Sequence, residues 1–429
     1  MQKSHDGTIT KLAEAVRASP ENPQAHYDLA CALLNGRSKR DPISLYGAIL
    51  EAREAIRLKS EYLDAHVFLA AALTFAGQFE EALAVVKDAL AIDPGCKGAH
   101  YHLGLAYLEQ GRTDEALIKF RECKLSGMNG SCVHTGMGIA YARKGMYTEA
   151  IAALKQSLSI NPSGLKARAE LGQVLAKVGL VADGIAELEK VLERAPQRTA
   201  TRLDLAAIYL VNKRPADAVR EYGKVLSAEP CNVAALNGLG NALQRCNRLD
   251  DAIREYKKAL ELAPGDFRAR YNLANAYVDK RMYERATQEF QNAVRLSPRD
   301  PAVHVSFGIL LLMSGDVYGA TLELREAVRL DPESGMSHLN LGVALLQMGR
   351  DAESKAALEA AARLNAAVPE TYYYLGFRAE RAGDLEGAID AYEKFLKLSG
   401  SGDRRSRPIR SRVAEMRNVR MSAGVRDTA

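Results

Sequence analysis

The sequence lacks the long apolar run of a membrane protein. No segment approaches the ~18–20 apolar residues that a membrane-spanning helix needs. The first twenty residues include Asp6 and Glu14 and have no continuous apolar core of a secretory signal. The six cysteines have no compact spacing, which favours free thiols in a reducing compartment. These absences predict a cytoplasmic protein, although a signal peptide that had been removed would leave the same pattern.

Positive charge is missing from most of the chain. The formal net charge is +5, and residues 400–429, with eight Arg and three acidic residues, account for all of it. Residues 1–399 therefore sum to zero. Because a track for a nucleic-acid backbone requires a basic surface, this balance argues against nucleic acid as the partner of the body of the chain.

Sequence motifs of common enzymes are also absent. The chain has no phosphate loop of the G-x-x-x-x-G-K-[ST] type, no G-x-S-x-G elbow and no H-E-x-x-H pair. Gly238-Leu239-Gly240 lies within a predicted helix rather than after a strand, so it is not a dinucleotide fingerprint. We expect no catalytic residue, no cofactor and no small-molecule substrate.

What the sequence does contain is a repeat of 34 residues. A small residue that follows an apolar one recurs at this interval, at Ala70, Gly104, Gly138, Gly172, Ala206, Gly240, Ala274, Gly308, Gly342 and Gly376. Apolar residues around it recur with the period of a helix face, and a second amphipathic segment ends at a proline such as Pro264. Each unit thus predicts two antiparallel helices, which must stack on their neighbours to bury their apolar faces.

These features resemble the tetratricopeptide repeat (TPR) family. The matching features are the period, the Leu-Gly pair, the alanine of the second helix, the closing proline and the tyrosine three residues after the small position, at Tyr107, Tyr141, Tyr209 and Tyr277. The resemblance covers roughly residues 21–400. It implies an all-α fold, a right-handed α-solenoid superhelix of about 11 helical hairpins, whose concave groove binds peptides or protein surfaces.

The two ends of the chain depart from the repeat. Residues 1–20 are predicted to form a capping helix, or half repeat, before the array at 21–400, whose first repeat has a six-residue insertion near 37–42. Residues 401–429 are predicted to form a basic capping helix and tail. Its apolar residues Ile409, Val413 and Met416 should face the last repeat, and its arginines should face solvent.

Histidines occupy one column of the repeat, four residues before the small position, at His26, His66, His100, His134, His304 and His338. A stacked imidazole column could bind metal or sense pH, with Cys96 and Cys132 as further ligands. However, no C-x-x-C or H-x-x-x-H pair occurs, and Arg168, Leu236 and Tyr372 fill the same column elsewhere. We interpret the column as bulky, half-buried structural residues and predict no metal site.

Two neighbouring first helices carry the candidate site. Their predicted groove face holds amides, arginines and one tyrosine, namely Asn237, Asn241, Gln244, Arg245, Arg268, Tyr271, Asn272 and Asn275. Amides donate and accept together, which suits an extended peptide backbone, and arginine offers a fork for carboxylates. The flanking first helices carry apolar residues, which either continue this surface or pack inward, at Phe68, Ala71, Tyr101, Leu105, Val305, Ile309, Leu312, Met313, Leu339, Val343, Tyr373 and Phe377.

The favoured function is a non-catalytic scaffold that binds a protein or peptide partner in the groove. One alternative is a protein that associates with nucleic acid or acidic membrane through its Arg-rich C-terminus. Another is a regulatory subunit of a separately encoded enzyme. The sequence leaves open the identity of the partner, the pathway and the oligomeric state.

Overall fold

The protein is α-helical throughout the part of the chain that its computed structural model describes, residues 2–35, 42–400 and 403–424. Those residues form twenty-four helices and no strand. The insertion predicted near 37–42 lies outside the described residues, apart from Pro42. Across the described ranges, no helix is both long and apolar enough to cross a lipid bilayer.

The chain divides into two compact units, and the first covers residues 1–208. A capping helix precedes five hairpins. The helices are α1 (Gln2–Ala18), α2 (Pro23–Asn35), α3 (Pro42–Leu58), α4 (Leu63–Phe75), α5 (Phe79–Ile92), α6 (Lys97–Glu109), α7 (Thr113–Leu125), α8 (Ser131–Arg143), α9 (Tyr147–Ile160), α10 (Leu165–Lys177), α11 (Val181–Arg194) and most of α12 (Thr199–Val211). The helices from α1 to α11 each pack against the next.

The second unit covers residues 209–429. After the end of α12, its helices are α13 (Pro215–Ala228), α14 (Val233–Arg245), α15 (Leu249–Leu262), α16 (Phe267–Asp279), α17 (Tyr283–Leu296), α18 (Pro301–Ser314), α19 (Val317–Leu330), α20 (Gly335–Gln347), α21 (Asp351–Leu364), α22 (Pro369–Arg381), α23 (Leu385–Leu398) and α24 (Ser406–Gly424). The first helices of neighbouring hairpins, α14, α16, α18, α20 and α22, also contact one another in order. The predicted all-α array of helical hairpins with a helix at either end is confirmed.

Small residues let the two helices of a hairpin come close together. Gly240 of α14 faces the fully buried ring of Tyr256 on α15, and a Cβ atom at Gly240 would overlap that ring. In the first unit, a Cβ at Gly104 would lie 2.7 Å from Phe120 Cε1. The repeated small position is therefore a packing requirement of the hairpin.

A residue with left-handed backbone ends most first helices of the hairpins. Glycine supplies it at several hairpins, for example Gly349 with φ 75°. Lys213, Asn247 and Arg281 adopt the same conformation, with φ of 58°, 59° and 57°. Because a side chain disfavours this conformation, these three turns carry some backbone strain.

The histidine column has a structural role in both units. In the second unit, His304 Nε2 lies 3.0 Å from the carbonyl oxygen of Pro298, at the end of the preceding hairpin. Its Nδ1 lies 2.7 Å from Glu323 Oε2, and this hydrogen bond raises the pKa of His304. Arg270 donates to the Pro264 carbonyl in the same way, at 3.1 Å. A residue in this column thus satisfies a carbonyl that follows a helix end, which explains why His and Arg interchange.

No metal cluster accompanies that column in the described ranges, where no group of three or more His, Cys, Asp or Glu is placed to hold an ion. The six cysteines are unpaired.

The C-terminal helix α24 packs on the last hairpin through Ile409, Val413 and Met416, which are buried. Arg405, which immediately precedes α24, also attaches the helix to the last hairpin. Its guanidinium donates to Glu370 at 2.8 Å and lies 5.2 Å from the centre of the Tyr373 ring.

Arginines within α24 have acidic partners too, although they remain partly exposed. Arg412 donates to Glu380 at 2.5 Å, and Arg417 pairs with Glu393. Because the last hairpin is acidic where α24 docks, several of these basic charges serve to attach the helix rather than remain as a separate basic surface.

Candidate functional site

Two adjoining cavities lie along α14, α16 and the start of α18 in the second unit. The first has a volume of about 360 Å³ and is lined by Asn237, Asn241, Phe267, Arg268, Tyr271, Asn272, Asp300, Ala302 and Val303. The second has a volume of about 320 Å³ and is lined by Asn241, Gln244, Arg245, Asn272, Asn275 and Asp279. We call the residues that line these two cavities the amide groove. All eight candidate residues from the sequence lie in it.

The repeat itself brings these side chains together. Each helix places residues three, four and seven positions apart on one face, and neighbouring first helices align residues that are 35 positions apart. Thus Asn272 Nδ2 donates to Asn237 Oδ1 at 2.9 Å. Gln244 Nε2 donates to Asp279 Oδ2 at 2.5 Å. The amides are therefore held in place before any ligand binds.

A buried tyrosine supports the amide groove from behind. The hydroxyl of Tyr256 lies 2.8 Å from Asn241 Oδ1 and 3.1 Å from Gln244 Oε1. Burial raises the pKa of Tyr256, so the hydroxyl keeps its proton. The sequence analysis did not assign this residue to the site, because it belongs to the second helix of the hairpin and its column holds a large packing residue, Phe, Leu, Val or Tyr, in the second to eleventh repeats.

The charged side chains of the amide groove differ in the hydrogen bonds that they make within the protein. Arg245 donates to the Leu210 carbonyl at 2.9 Å, so it also holds the end of α12. Asp300 caps α18 by accepting from the backbone N–H of Ala302 at 2.9 Å. Arg268 is exposed, and its guanidinium makes no hydrogen bond or ion pair with another described residue. Arg268 is therefore the charge that is most available to a ligand.

The neighbouring helix α18 continues the surface with less polar residues. Tyr271 and Ser306 hold α16 and α18 together, with their hydroxyl oxygens 2.8 Å apart. Met313, at the end of α18, is 52% exposed. By contrast, Leu339 on α20 is only 6% exposed and packs with Leu358, so of the two possibilities for the apolar residues it takes the inward one.

A third cavity in the first unit went largely unpredicted. It has a volume of about 390 Å³ and is lined by Tyr101, Leu105, Ser131, Cys132, Thr135, Gly136, Ile139, Ser157, Asn161, Ser163, Gly164, Leu165, Lys166 and Ala167. The sequence predicts a groove position for Tyr101 and Leu105 only. The other lining residues include small side chains of α8, among which Gly136 lies against the Phe120 ring of α7.

Family models agree with the geometry of the hairpins. Two models described as tetratricopeptide repeat match the chain, one at residues 73–118, 141–197 and 247–306, and the other at 203–267, 307–369 and 339–403. Together they cover more than half of the sequence. No curated protein sequence matches the chain significantly.

Solved structures resemble the chain in fold at low sequence identity. Yeast Tom70 has a TM-score of 0.50 and 16% identity, over 98% of this chain and 93% of that one. The APC/C hetero-tetramer Cut9–Hcn1 has a TM-score of 0.49 and 14% identity, over 96% and 94%. A tetratricopeptide repeat protein from Parabacteroides merdae ATCC 43184 has a TM-score of 0.49 and 14% identity, over 58% and 98%.

Proposed function

Because the chain belongs to the tetratricopeptide repeat family, we propose that it is a non-catalytic scaffold that binds a protein or peptide partner in the amide groove. The observation that carries this proposal is the convergence of eight polar side chains from α14 and α16 on two adjoining cavities. Such arrays typically present a surface for other proteins, and their hairpins position the side chains that select them.

The chemistry of the amide groove suits an extended segment of the partner. A helical partner satisfies its own backbone groups, whereas an extended segment leaves N–H and C=O groups for the amides of the groove. The exposed Arg268 offers two parallel N–H donors to a carboxylate of the same partner. The groove therefore favours an extended peptide with at least one acidic group.

The Arg-rich C-terminus is the weaker candidate for the binding surface. Arg405, Arg412 and Arg417 are paired with acidic residues, which offsets much of their charge. Nucleic acid or acidic lipid would compete with those ion pairs for the same guanidinium groups.

A co-purification experiment tests the proposal. The full chain is recovered from its source organism as wild type, as the double variant Asn241→Ala/Arg268→Ala, and as the control Arg254→Ala/Gln291→Ala, whose sites are exposed on the second helices α15 and α17. Arg245 stays unchanged because it holds the Leu210 carbonyl.

We expect the groove variant to lose at least about tenfold of its partner, since two desolvated polar contacts contribute more than about 1.4 kcal/mol. The control should retain the partner, and circular dichroism should show both variants folded. Equal recovery with all three proteins would contradict the proposal. If the recovered partner is an enzyme whose activity changes on binding, the protein is a regulatory subunit.

A further inference from the structure

The hydroxyl of Tyr256 reaches the amide groove through the interior of its hairpin. Its ring extends from α15 across Gly240, where any side chain would block it, and is fully buried. The hydroxyl emerges beside Asn241 and Gln244 on α14. The glycine, the tyrosine and the two amides therefore form one structural unit.

The hydrogen bonds determine which end of each amide faces Tyr256. Gln244 donates its NH2 group to Asp279, and because a carboxylate only accepts, the carbonyl of Gln244 turns towards Tyr256. The single hydroxyl proton is shared between Gln244 at 3.1 Å and Asn241 at 2.8 Å, and the shorter contact is to Asn241 Oδ1. With its carbonyl engaged, Asn241 leaves its NH2 group for the cavity.

The neighbouring amide has the same polarity. Asn237 Oδ1 accepts from Asn272, so the NH2 group of Asn237 is also left for the cavity. Asn237 and Asn241 are one turn apart on α14, which separates them by about 6 Å along the helix axis. Carbonyl groups on one side of an extended chain recur every two residues, or about 6.6–6.8 Å. The two spacings match closely enough for one donor to meet each carbonyl.

We propose that Tyr256 is a positioning residue of the amide groove, whose hydroxyl orients the Asn241 side chain so that Asn237 and Asn241 donate to alternate main-chain carbonyls of an extended partner segment. This inference rests on the proposed function of the groove for its ligand, but the orientation of Asn241 exists without any ligand. The two parts are therefore tested separately.

The same repeat column provides a matched control in Tyr392. Its ring is buried against Gly376, as Tyr256 is against Gly240. Its hydroxyl donates instead to Glu380 Oε2 at 2.9 Å, outside the amide groove. Removing either hydroxyl with Phe keeps the ring that fills the hairpin, so both variants should fold.

The orientation is tested by NMR on the full chain with 15N-labelled asparagine and no ligand. The NH2 signals of Asn241 are assigned by their loss in Asn241→Asp. We expect Tyr256→Phe to shift these signals and Tyr392→Phe to leave them in place. Unchanged Asn241 signals in Tyr256→Phe would overturn the positioning role, whatever the groove binds.

The effect on binding is tested with a defined probe, a fluorescent dodecapeptide selected from a random displayed library on the full chain. We expect Asn237→Ala and Asn241→Ala to weaken its binding, and Tyr256→Phe to weaken it about three- to tenfold, the effect of one hydrogen bond. The double variant Tyr256→Phe/Asn241→Ala should bind no more weakly than Asn241→Ala alone, because Tyr256 acts through Asn241. Tyr392→Phe should bind as wild type.

The failures are distinguishable. Additive losses from Tyr256→Phe and Asn241→Ala would overturn the positioning role but keep the groove as a binding site. A probe that is insensitive to Asn237→Ala, Asn241→Ala and Arg268→Ala would contradict the proposed function of the groove itself, and with it the donor pair.

Discussion

The two helices pack in the same way in the third and seventh hairpins, but the surfaces that these hairpins present are different. In the third hairpin, α6 and α7, Phe120 packs against Gly104, and Leu105 and Leu108 stand at the positions that Asn241 and Gln244 occupy in the seventh. In the seventh, α14 and α15, Tyr256 packs against Gly240. The first arrangement is apolar, and the second is a hydrogen-bonded network.

A buried hydroxyl is costly without a partner, and in the seventh hairpin Asn241 and Gln244 both accept from Tyr256. The acceptor differs between hairpins, since Tyr392 in the same column donates to Glu380. Where the positions of Asn241 and Gln244 hold Leu105 and Leu108, the column holds Phe120. The packing of the hairpin is thus separable from the chemistry of the surface that it presents.

Truncating the packed ring should have the largest effect, and it tests whether the ring stabilises the two hairpins equally. We expect Phe120→Ala and Tyr256→Ala each to lower the free energy of unfolding by about 3–5 kcal/mol, because both rings fill the space between two helices. Denaturant unfolding combined with hydrogen exchange of α6 and α14 measures both losses. A loss of unfolding free energy below about 1 kcal/mol in either variant would show that the ring does not stabilise both hairpins to a similar extent.

The next largest difference should be in the pH dependence of stability, which we expect to be greater for the third hairpin than for the seventh. Burial lowers the pKa of His102 on α6 to about 4 from 6.5, whereas the equivalent residue of α14 in the seventh hairpin is Gly238, which does not titrate. The unfolded chain takes up a proton below about pH 6.5, and the folded chain does so only near 4. Stability should therefore fall as the pH drops between these values, by up to about 3 kcal/mol.

The variant His102→Asn checks this acid effect. Its unfolding free energy, measured at neutral pH and near pH 4, should depend less on pH than that of the wild type. An identical pH dependence in the two proteins would mean that His102 does not contribute.

A reciprocal exchange of one hydroxyl sharpens the comparison further. Phe120→Tyr places a hydroxyl between apolar neighbours and should cost about 1–3 kcal/mol. Tyr256→Phe removes one hydrogen bond and should cost about 0.5–1.5 kcal/mol. Adding Leu105→Asn to Phe120→Tyr should restore part of the loss. Thermal unfolding of the three variants measures these changes, and a stabilising Phe120→Tyr would refute the dependence between the positions.

The smallest expected effect concerns the turns. The first unit ends several first helices with glycine, such as Gly111 and Gly145, whereas the second uses Lys213, Asn247 and Arg281 in left-handed conformation at three helices and glycine at others. Lys213→Gly and Arg281→Gly should each stabilise the protein by about 0.5–1 kcal/mol, and Asn247→Gly by less, because asparagine tolerates this conformation. A fall in melting temperature in both of the first two variants would show that their side chains make compensating contacts.

The sequence predicted the helical hairpins well, because their packing and their ends depend on local features that recur in most repeats. The column that includes Gly240 and the closing Pro264 specify a close approach and a helix end, which need no knowledge of distant residues. The sequence also placed Asn241 and Arg268 on one surface, since helical periodicity determines which face of the helix a residue occupies.

The sequence did not predict which side chains pair with each other. The bonds of Asn272 to Asn237 and of Gln244 to Asp279 join residues 35 apart, and the contact of Tyr256 with Asn241 crosses from one helix to the other. Such pairs depend on the side-chain conformations of neighbours as well as on the periodicity. The 34-residue repeat nevertheless contained a usable signal, since it brings residues one repeat and one position apart into contact.

Binding of a protein partner in the amide groove can be measured in place by site-specific photo-crosslinking in the source organism. A photoreactive amino acid replaces Asn275 in the groove in one strain and Gln291 on α17 in another. We expect the Asn275 position to crosslink to one recurrent protein and the Gln291 position not to do so. Crosslinks to that protein from Gln291 but not from Asn275, or no crosslink at Asn275, would contradict the proposed binding in the amide groove.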